Sequence, residues 1–421
     1  MSYRSSLEYL SQLHSKGINL DLGPISRLLQ RLGDPQRSCP SILIGGSNGK
    51  GSVAATISSV LGEAGFKVGL YTSPHLVDFR ERIRVKGAIM SPADLYELVE
   101  HVRYHVLEEV TYFEFATAMA FMHFARCHVD VAVLEVGMGG RLDATNVVVP
   151  EVSVITNIVR EHQQYLGASL PLIAREKGGI IKEGGVCITA SKQRAVLQVI
   201  EEICTCRHAH LYRAGKDIRT RRRQRGVISY YGIFHRYNDI SMSLVGRHQI
   251  ENVALALGAI EILISNGWSI GDEAVRNGVK KVQWNGRLEL LCHSPRLVVD
   301  GAHNGAAASA LKRSLCEDFT YERLILVFGV MEDKDYTGML KILAPLADSI
   351  ILTRPEGPRA ADPHALEPIA ATFCTHVLIN NATRRALTTA FALAGKGDLV
   401  CVAGSLYLVG EVKKMLRNLS L

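Results

Sequence analysis

The sequence predicts an α/β protein of two domains, each built on a mostly parallel sheet. Three observations predict it. Short apolar runs take turns with helical patterns along most of the 421 residues, the alternation that gives parallel strands covered on both faces. The alternation restarts in the last third of the chain, and a chain of this length exceeds what one hydrophobic core usually serves.

In the first series the strands are expected at residues 41–44, 67–71, 129–136, 152–158 and 186–190. Between the first two lies Gly45-Gly46-Ser47-Asn48-Gly49-Lys50-Gly51-Ser52, opening a helical pattern over 53–65. A glycine-rich turn that starts a helix aims backbone N–H groups and the helix dipole at one spot, which suits a triphosphate. Lys50 adds a charge for the β/γ oxygens and Ser52 a hydroxyl for magnesium. Gly51 departs from the common phosphate-loop pattern, which places Ser or Thr directly after the lysine. The N-terminal domain is therefore of the P-loop type. Runs at 226–233 and 239–245 read as a surface hairpin, and 251–267 as a helix. The second series, at 297–300, 324–329, 349–353, 376–380 and 398–403, forms a smaller Rossmann-like domain. The join falls near Trp284-Asn285-Gly286, giving domains 1–286 and 287–421.

Hydrophobic residues make up 47% of the chain, enough for both cores, yet no apolar run reaches the roughly 18 residues that span a bilayer. Residues 1–14 carry charges where a leader would be apolar. Nine cysteines, mostly inside apolar runs, read as small buried hydrophobes in a reducing compartment, with no disulfides. The expectation is a cytoplasmic protein without a membrane partner. The net charge of +7 suits anionic small molecules at least as well as nucleic acid. Arg219, Arg221, Arg222, Arg223 and Arg225 have no aromatic interleaving, so they read as a solvated hairpin tip and no nucleic-acid partner is expected. Cys204, Cys206, His208 and His210 alternate; on one strand face they would make a poor tetrahedron, so no zinc site is assigned.

In open α/β sheets ligands sit past the carboxyl ends of the strands. Ser73, Glu135 and His162 occupy such positions and could reach the phosphate loop. Glu135 closes an apolar run, where a carboxylate needs a cation or hydrogen bonds. Residues 137–146 are too rich in glycine and polar groups for a strand or helix; they read as a ligand-facing loop or as a turn capped by Asp143 and Asn146. Lys177, before Gly178 and Gly179, reads on its own as an ordinary helix end. In the second series Asp300 is placed for a ribose hydroxyl or a cation, with His303 and Asn304 at the following helix start, where a cap explains Asn304 equally well. Arg287, at the inferred joint, could reach phosphates across a cleft.

Taken in order, Gly46-Ser47-Asn48-Gly49-Lys50-Gly51-Ser52, Thr72-Ser73-Pro74-His75, Thr111-Tyr112-Phe113-Glu114, Leu142-Asp143-Ala144-Thr145-Asn146, Glu176-Lys177-Gly178-Gly179-Ile180, Gly286-Arg287-Leu288-Glu289 and Asp300-Gly301-Ala302-His303-Asn304 carry a resemblance. The chain resembles, over nearly its whole length, the folylpolyglutamate synthase/dihydrofolate synthase family of the Mur ligase superfamily. That resemblance implies an ATP-dependent ligase joining L-glutamate to dihydropteroate, and to reduced folates, through an acyl phosphate. It implies ATP and two magnesium ions as cofactors, and a monomer with these small molecules as partners. By resemblance, Asn48, Gly49, Lys50, Gly51, Ser52, Asn252, Arg287 and Asp300 hold ATP. Ser52 would take the first magnesium, and Ser73, Glu135 and His162 the second. Lys177 matches a lysine carried as a carbamate, and with Lys50 and His162 makes the implied catalytic set. Leu22, Gly23, Thr111, Tyr112, Phe113, Glu114, Leu142, Asp143 and Ala144 match the pterin-binding segments, with Phe113 stacked on the pterin. His303 and Asn304 are assigned to glutamate binding or domain closure. Two positions depart from the family: Glu161 stands where aspartate is usual, and Gly178 where alanine is. The alternatives are a Mur-type cell-wall amino-acid ligase, which leaves 111–114 and 142–146 unexplained, and a P-loop kinase or NTPase.

Overall fold

The structure is a computed structural model that describes residues 3–13 and 16–418. Residues 1, 2 and 14, the ends of the charged N-terminal stretch, lie outside the described residues. Two compact units form: one from 1–75, 79–243 and 250–282, the other from 76–78, 244–249 and 283–421.

The first unit is built on eight strands: β1 (Ser41–Gly45), β2 (Val68–Tyr71), β3 (Ile83–Val85), β4 (Ala88–Ile89), β5 (Val131–Glu135), β6 (Val152–Ile155), β7 (Val186–Thr189) and β8 (His210–Arg213). Their order is β4-β3-β2-β5-β1-β6-β7-β8, parallel from β2 through β8, with β3 and β4 antiparallel at one edge. Strand β1 is buried along its whole length. Leu43 points into a core with the helix Tyr112–Arg126, while Ile42 and Ile44 point into a second core with the helices Lys50–Glu63 and Arg247–Ser265. A strand buried on both faces reads as an unbroken apolar run, and this is why β1 was visible in the sequence. The chain leaves β1 toward β2 on one side while β6 lies on the other, so the turn after β1 sits where the sheet order reverses.

Strands β9 (Arg219–Gln224), β10 (Val227–Tyr231) and β11 (Arg236–Ser241) form a separate antiparallel sheet in the order β11-β10-β9. The arginine run is therefore the exposed edge strand itself rather than a hairpin tip. The expected face of Cys204, Cys206, His208 and His210 does not exist. Both cysteines belong to the helix Arg194–Cys206, His208 sits in a turn at φ 49°, and only His210 enters a strand. The helix had the longer apolar periodicity, and it overrides the four-residue alternation.

The second unit carries β12 (Glu289–His293), β13 (Arg296–Val299), β14 (Leu324–Phe328), β15 (Ser349–Leu352), β16 (Val377–Ile379) and β17 (Leu399–Ala403), in the order β12-β13-β17-β14-β15-β16. All pairings are parallel except β12 with β13. Leu399, Cys401 and Ala403 of β17 face one core, and Val400 and Val402 the other. No helix among the described residues is long and apolar enough to cross a membrane.

Candidate active site

The turn after β1 makes the site. Gly46 (φ 124°) and Gly49 (φ 90°) adopt backbone conformations closed to most side chains, and a Cβ on either would collide, with Thr156 and Asn252 respectively. The loop is braced from outside. Ser47 N donates to Asn157 O at 2.7 Å, Asn48 N to Asn157 Oδ1 at 3.0 Å, and Val159 N to Ser47 Oγ at 3.1 Å. Gly49 is the N-cap of the helix Lys50–Glu63, without any side-chain cap. The first-turn N–H groups thus face the hollow of the loop, the arrangement that receives phosphate. Lys50 folds over it, its Nζ donating to Gly46 O at 3.1 Å and Ser47 O at 3.2 Å. Ser52 is buried one turn along, and Asn252 packs against Gly49.

Lys177 comes to the same loop from the helix Leu170–Gly178. Its Nζ is buried, donating to Gly46 O at 2.9 Å and to Glu161 Oε1 at 2.8 Å. Burial pulls the ammonium down to about 8, with Glu161 pulling the other way. Lys177 and Lys50 together hold Glu161 down to about 2 against the opposing effect of its own burial. The ordinary helix end read from local sequence is thus a buried amine beside the phosphate loop. His162, next in sequence, is exposed at φ 46°, directly before the short helix Gln163–Leu166.

Glu135 ends β5 beside β1 and is buried; its Oε2 accepts from Ser73 N at 3.0 Å. Among the described residues no three His, Cys, Asp or Glu side chains cluster closely enough to hold a metal. A divalent ion here would draw on one carboxylate and hydroxyls, with phosphate oxygens and water completing the shell. Magnesium tolerates such a sparse protein share, so the residues fit it.

Ser73 also lines a cavity of about 290 Å³. Its walls are the segments 17–21, 111–114, 137–138 and 142–144, together with Pro74 and Arg82. Thr111 caps the helix Tyr112–Arg126 in a reciprocal box: Thr111 N donates to Glu114 Oε2 at 2.7 Å and Glu114 N to Thr111 Oγ1 at 3.3 Å. Asn19 Nδ2 ties the first wall to Glu114 Oε1 at 3.3 Å. Phe113 lies against Gly137, where any side chain would displace its ring. Asp143 is buried, with Oδ1 accepting from Thr145 N at 3.0 Å and Oδ2 from Met138 N at 2.9 Å; burial pushes its carboxyl up. Among the sequence candidates, Leu142, Asp143 and Ala144 line this cavity with the 111–114 segment, whereas Leu22 and Gly23 do not. Gly23 instead begins the helix Gly23–Arg31, and its N donates to Asp21 Oδ1. Sequence reasoning missed Arg82 and the 17–21 segment, which only the folded cavity brings together.

In the second unit Asp300 is buried past β13, its oxygens accepting from Leu288 N and Ala302 N, each at 2.9 Å. His303 Nδ1 lies 2.8 Å from Gly301 O. Asn304 Oδ1 accepts from Ala307 N at 2.9 Å, the cap that its position allowed.

This fold and loop define a Mur ligase: residues 44–260 match the Mur ligase middle domain, and 286–406 the Mur ligase glutamate ligase domain. The chain is 35% identical to the dihydrofolate synthase/folylpolyglutamate synthase of Bacillus subtilis over 99% of both chains. It belongs to the folylpolyglutamate synthase/dihydrofolate synthase family. A Halobacterium salinarum relative, a probable bifunctional folylpolyglutamate synthase/dihydropteroate synthase, is 37% identical over 98% of this chain, which spans 51% of that protein. Among solved structures, Mycobacterium tuberculosis folylpolyglutamate synthase complexed with ADP superposes with a TM-score of 0.91 at 36% identity, covering 98% of each chain. E. coli FolC in complex with DHPP and ADP gives 0.91 at 32% identity, over 100% of this chain and 99% of that one. The Yersinia pestis bifunctional enzyme complexed with AMPPNP and an Mn ion gives 0.88 at 29% identity, over 99% and 98%.

Proposed function

We propose that this protein is an ATP-dependent ligase that joins L-glutamate to dihydropteroate, and to reduced folates, through an acyl phosphate. One observation carries the reading. Ser73 lines the apolar cavity and, through its backbone N–H, binds Glu135 at the end of the strand beside the phosphate loop. A carboxylate presented from the cavity therefore meets the γ-phosphoryl where Lys50 and a divalent ion can screen the two anions.

The cavity suits a pterin at one end. Phe113 offers an aromatic face, and Asp143, held by Met138 and Thr145, fixes the loop that forms the facing wall. We assign Lys50, Asn48, Gly49, Gly51, Ser52 and Asn252 to ATP from the first unit, and Arg287 and Asp300 from the second. Ser52 is assigned to one magnesium; Ser73, Glu135 and His162 are assigned to another. We further assign His303 and Asn304 to the incoming glutamate, residues 1–286 to ATP and pterin binding, and 287–421 to glutamate ligation. Lys177 is read as the carbamate lysine. A buried amine drawn down to about 8 has more of the neutral form whose lone pair bonds to CO2 carbon, releasing a proton. That group would supply an anion for organising magnesium. Nine free cysteines suit the reducing cytoplasm, where the protein is taken to act as a monomer.

Mass spectrometry of products from dihydropteroate or tetrahydrofolate with ATP and glutamate tests the function. A mass gain of one glutamyl residue, with stoichiometric ADP, is expected. ADP release independent of both acceptors identifies an NTPase instead.

A further inference from the structure

Arg82 closes the 3-10 turn Phe79–Arg82 directly before β3 and is 7% exposed. Its Nε donates to His75 Nδ1 at 2.9 Å, and its guanidinium lies 5.2 Å from the centroid of the Tyr112 ring. Among the described residues no carboxylate pairs with it. The acids that share its cavity are engaged elsewhere: Glu114 by Thr111 and Asn19, Asp143 by Met138 and Thr145, Asp21 by Gly23. An arginine cannot shed its proton, and a buried cation with no counter-ion is costly. With Nε occupied and the aromatic ring beneath, the two Nη groups remain as a fork lining the cavity, the geometry that takes a carboxylate in two parallel hydrogen bonds.

A folate presents two carboxylates on its terminal glutamate, and dihydropteroate presents one. The carboxylate that attacks the γ-phosphoryl needs an oxygen lone pair free. One gripped by both Nη groups has its charge neutralised and its oxygens occupied, so the fork suits the carboxylate that does not react. We propose that Arg82 is a specificity residue that holds the unreacted carboxylate of the acceptor's terminal glutamate, so that the site accepts folates as well as dihydropteroate. This inference rests on reading the cavity as the pterin and folate site.

The test is kcat/KM for dihydropteroate and for tetrahydrofolate in the wild-type enzyme, Arg82→Met and Arg82→Lys. A charged hydrogen-bonded pair predicts that the tetrahydrofolate-to-dihydropteroate ratio falls about 10- to 100-fold in Arg82→Met, chiefly through KM for tetrahydrofolate. Arg82→Lys, which keeps a point charge without the fork, is expected to recover part of the ratio. Equal losses with both acceptors, or an unchanged ratio, overturn the inference. So does a wild-type enzyme that takes dihydropteroate and refuses tetrahydrofolate. If Arg82→Met fails to fold by circular dichroism, Arg82→Lys decides alone, and an unchanged ratio there overturns the inference. A wild-type enzyme that glutamylates neither acceptor overturns the functional reading instead.

Discussion

The Nζ of Lys177 donates to Glu161 Oε1 at 2.8 Å while also donating to Gly46 O of the phosphate loop, so an ion pair buried beneath the loop is wired to its first turn. With Lys177 unmodified, as in enzyme freed of CO2, the pair sets a pH signature. Glu161 sits at about 2 against an ordinary 4.5, so the stability it contributes is complete above pH 4.5 and is lost as pH falls toward 2. Lys177 sits at about 8 against 10.5, so between those values the unfolded chain binds more protons and stability rises with pH. Denaturant titrations across pH are expected to show Glu161→Gln losing less stability than wild type between pH 4.5 and 2. Parallel curves would remove the assignment.

Lys177→Ala is expected to cut kcat by about 100-fold or more, with partial recovery in added formate or acetate that can stand in for the lost anion. In wild type, a carbamate carbon should be visible by NMR after equilibration with 13C-bicarbonate. Its absence from an active enzyme would discard the carbamate while leaving the ion pair in place.

Lys50 donates hydrogen bonds to the carbonyls of its own loop, Gly46 and Ser47, and its charge attracts Glu161 while repelling Lys177, so Lys50→Ala should leave the fold within about 0.5 kcal/mol. Ligation should fall about 100- to 1,000-fold, read as ADP release with both acceptors present. Near-normal turnover would refute its phosphate role.

Gly49→Ala forces a side chain into positive φ and against Asn252. We expect ADP affinity, measured by calorimetry, to drop about tenfold or more, from strain of roughly 1–3 kcal/mol that the loop relieves by moving. Affinity for pteroate should change little, because the cavity does not include this residue.

Thr111→Ala removes one half of the capping box, at a cost of about 1 kcal/mol in denaturant unfolding. Because Thr111 and Glu114 both line the cavity, KM for dihydropteroate should rise while KM for ATP holds. Equal changes in both would show that the effect is global.

The apolar strands and the phosphate loop were legible because β1, β5 and β6 are buried on both faces, which leaves unbroken apolar runs. The arginine run was harder. Strand propensity is a statement about packing, and an edge strand bearing Arg219, Arg221, Arg222 and Arg223 packs little, so its sequence carried the charge and hid the pairing. Lys177 looked like a helix end because its burial comes from 131 residues away, at Gly46. Thr111 and Glu114 were noticed for their resemblance, although Thr-x-x-Glu before an apolar run also spells a capping box. Arg82 escaped because nothing local distinguishes a buried arginine from a solvated one; only the cavity around it does.

Strand β9 has one further consequence. It ends its sheet, so one of its sides faces no neighbouring strand of that sheet, the edge that another strand, including a second copy of itself, could join. Four arginines in six residues make two such edges repel each other, and their long solvated side chains shield the backbone between them. The arginine run thus works as a guard against strand-to-strand pairing, and neutral residues there would turn this edge into a seed for aggregation.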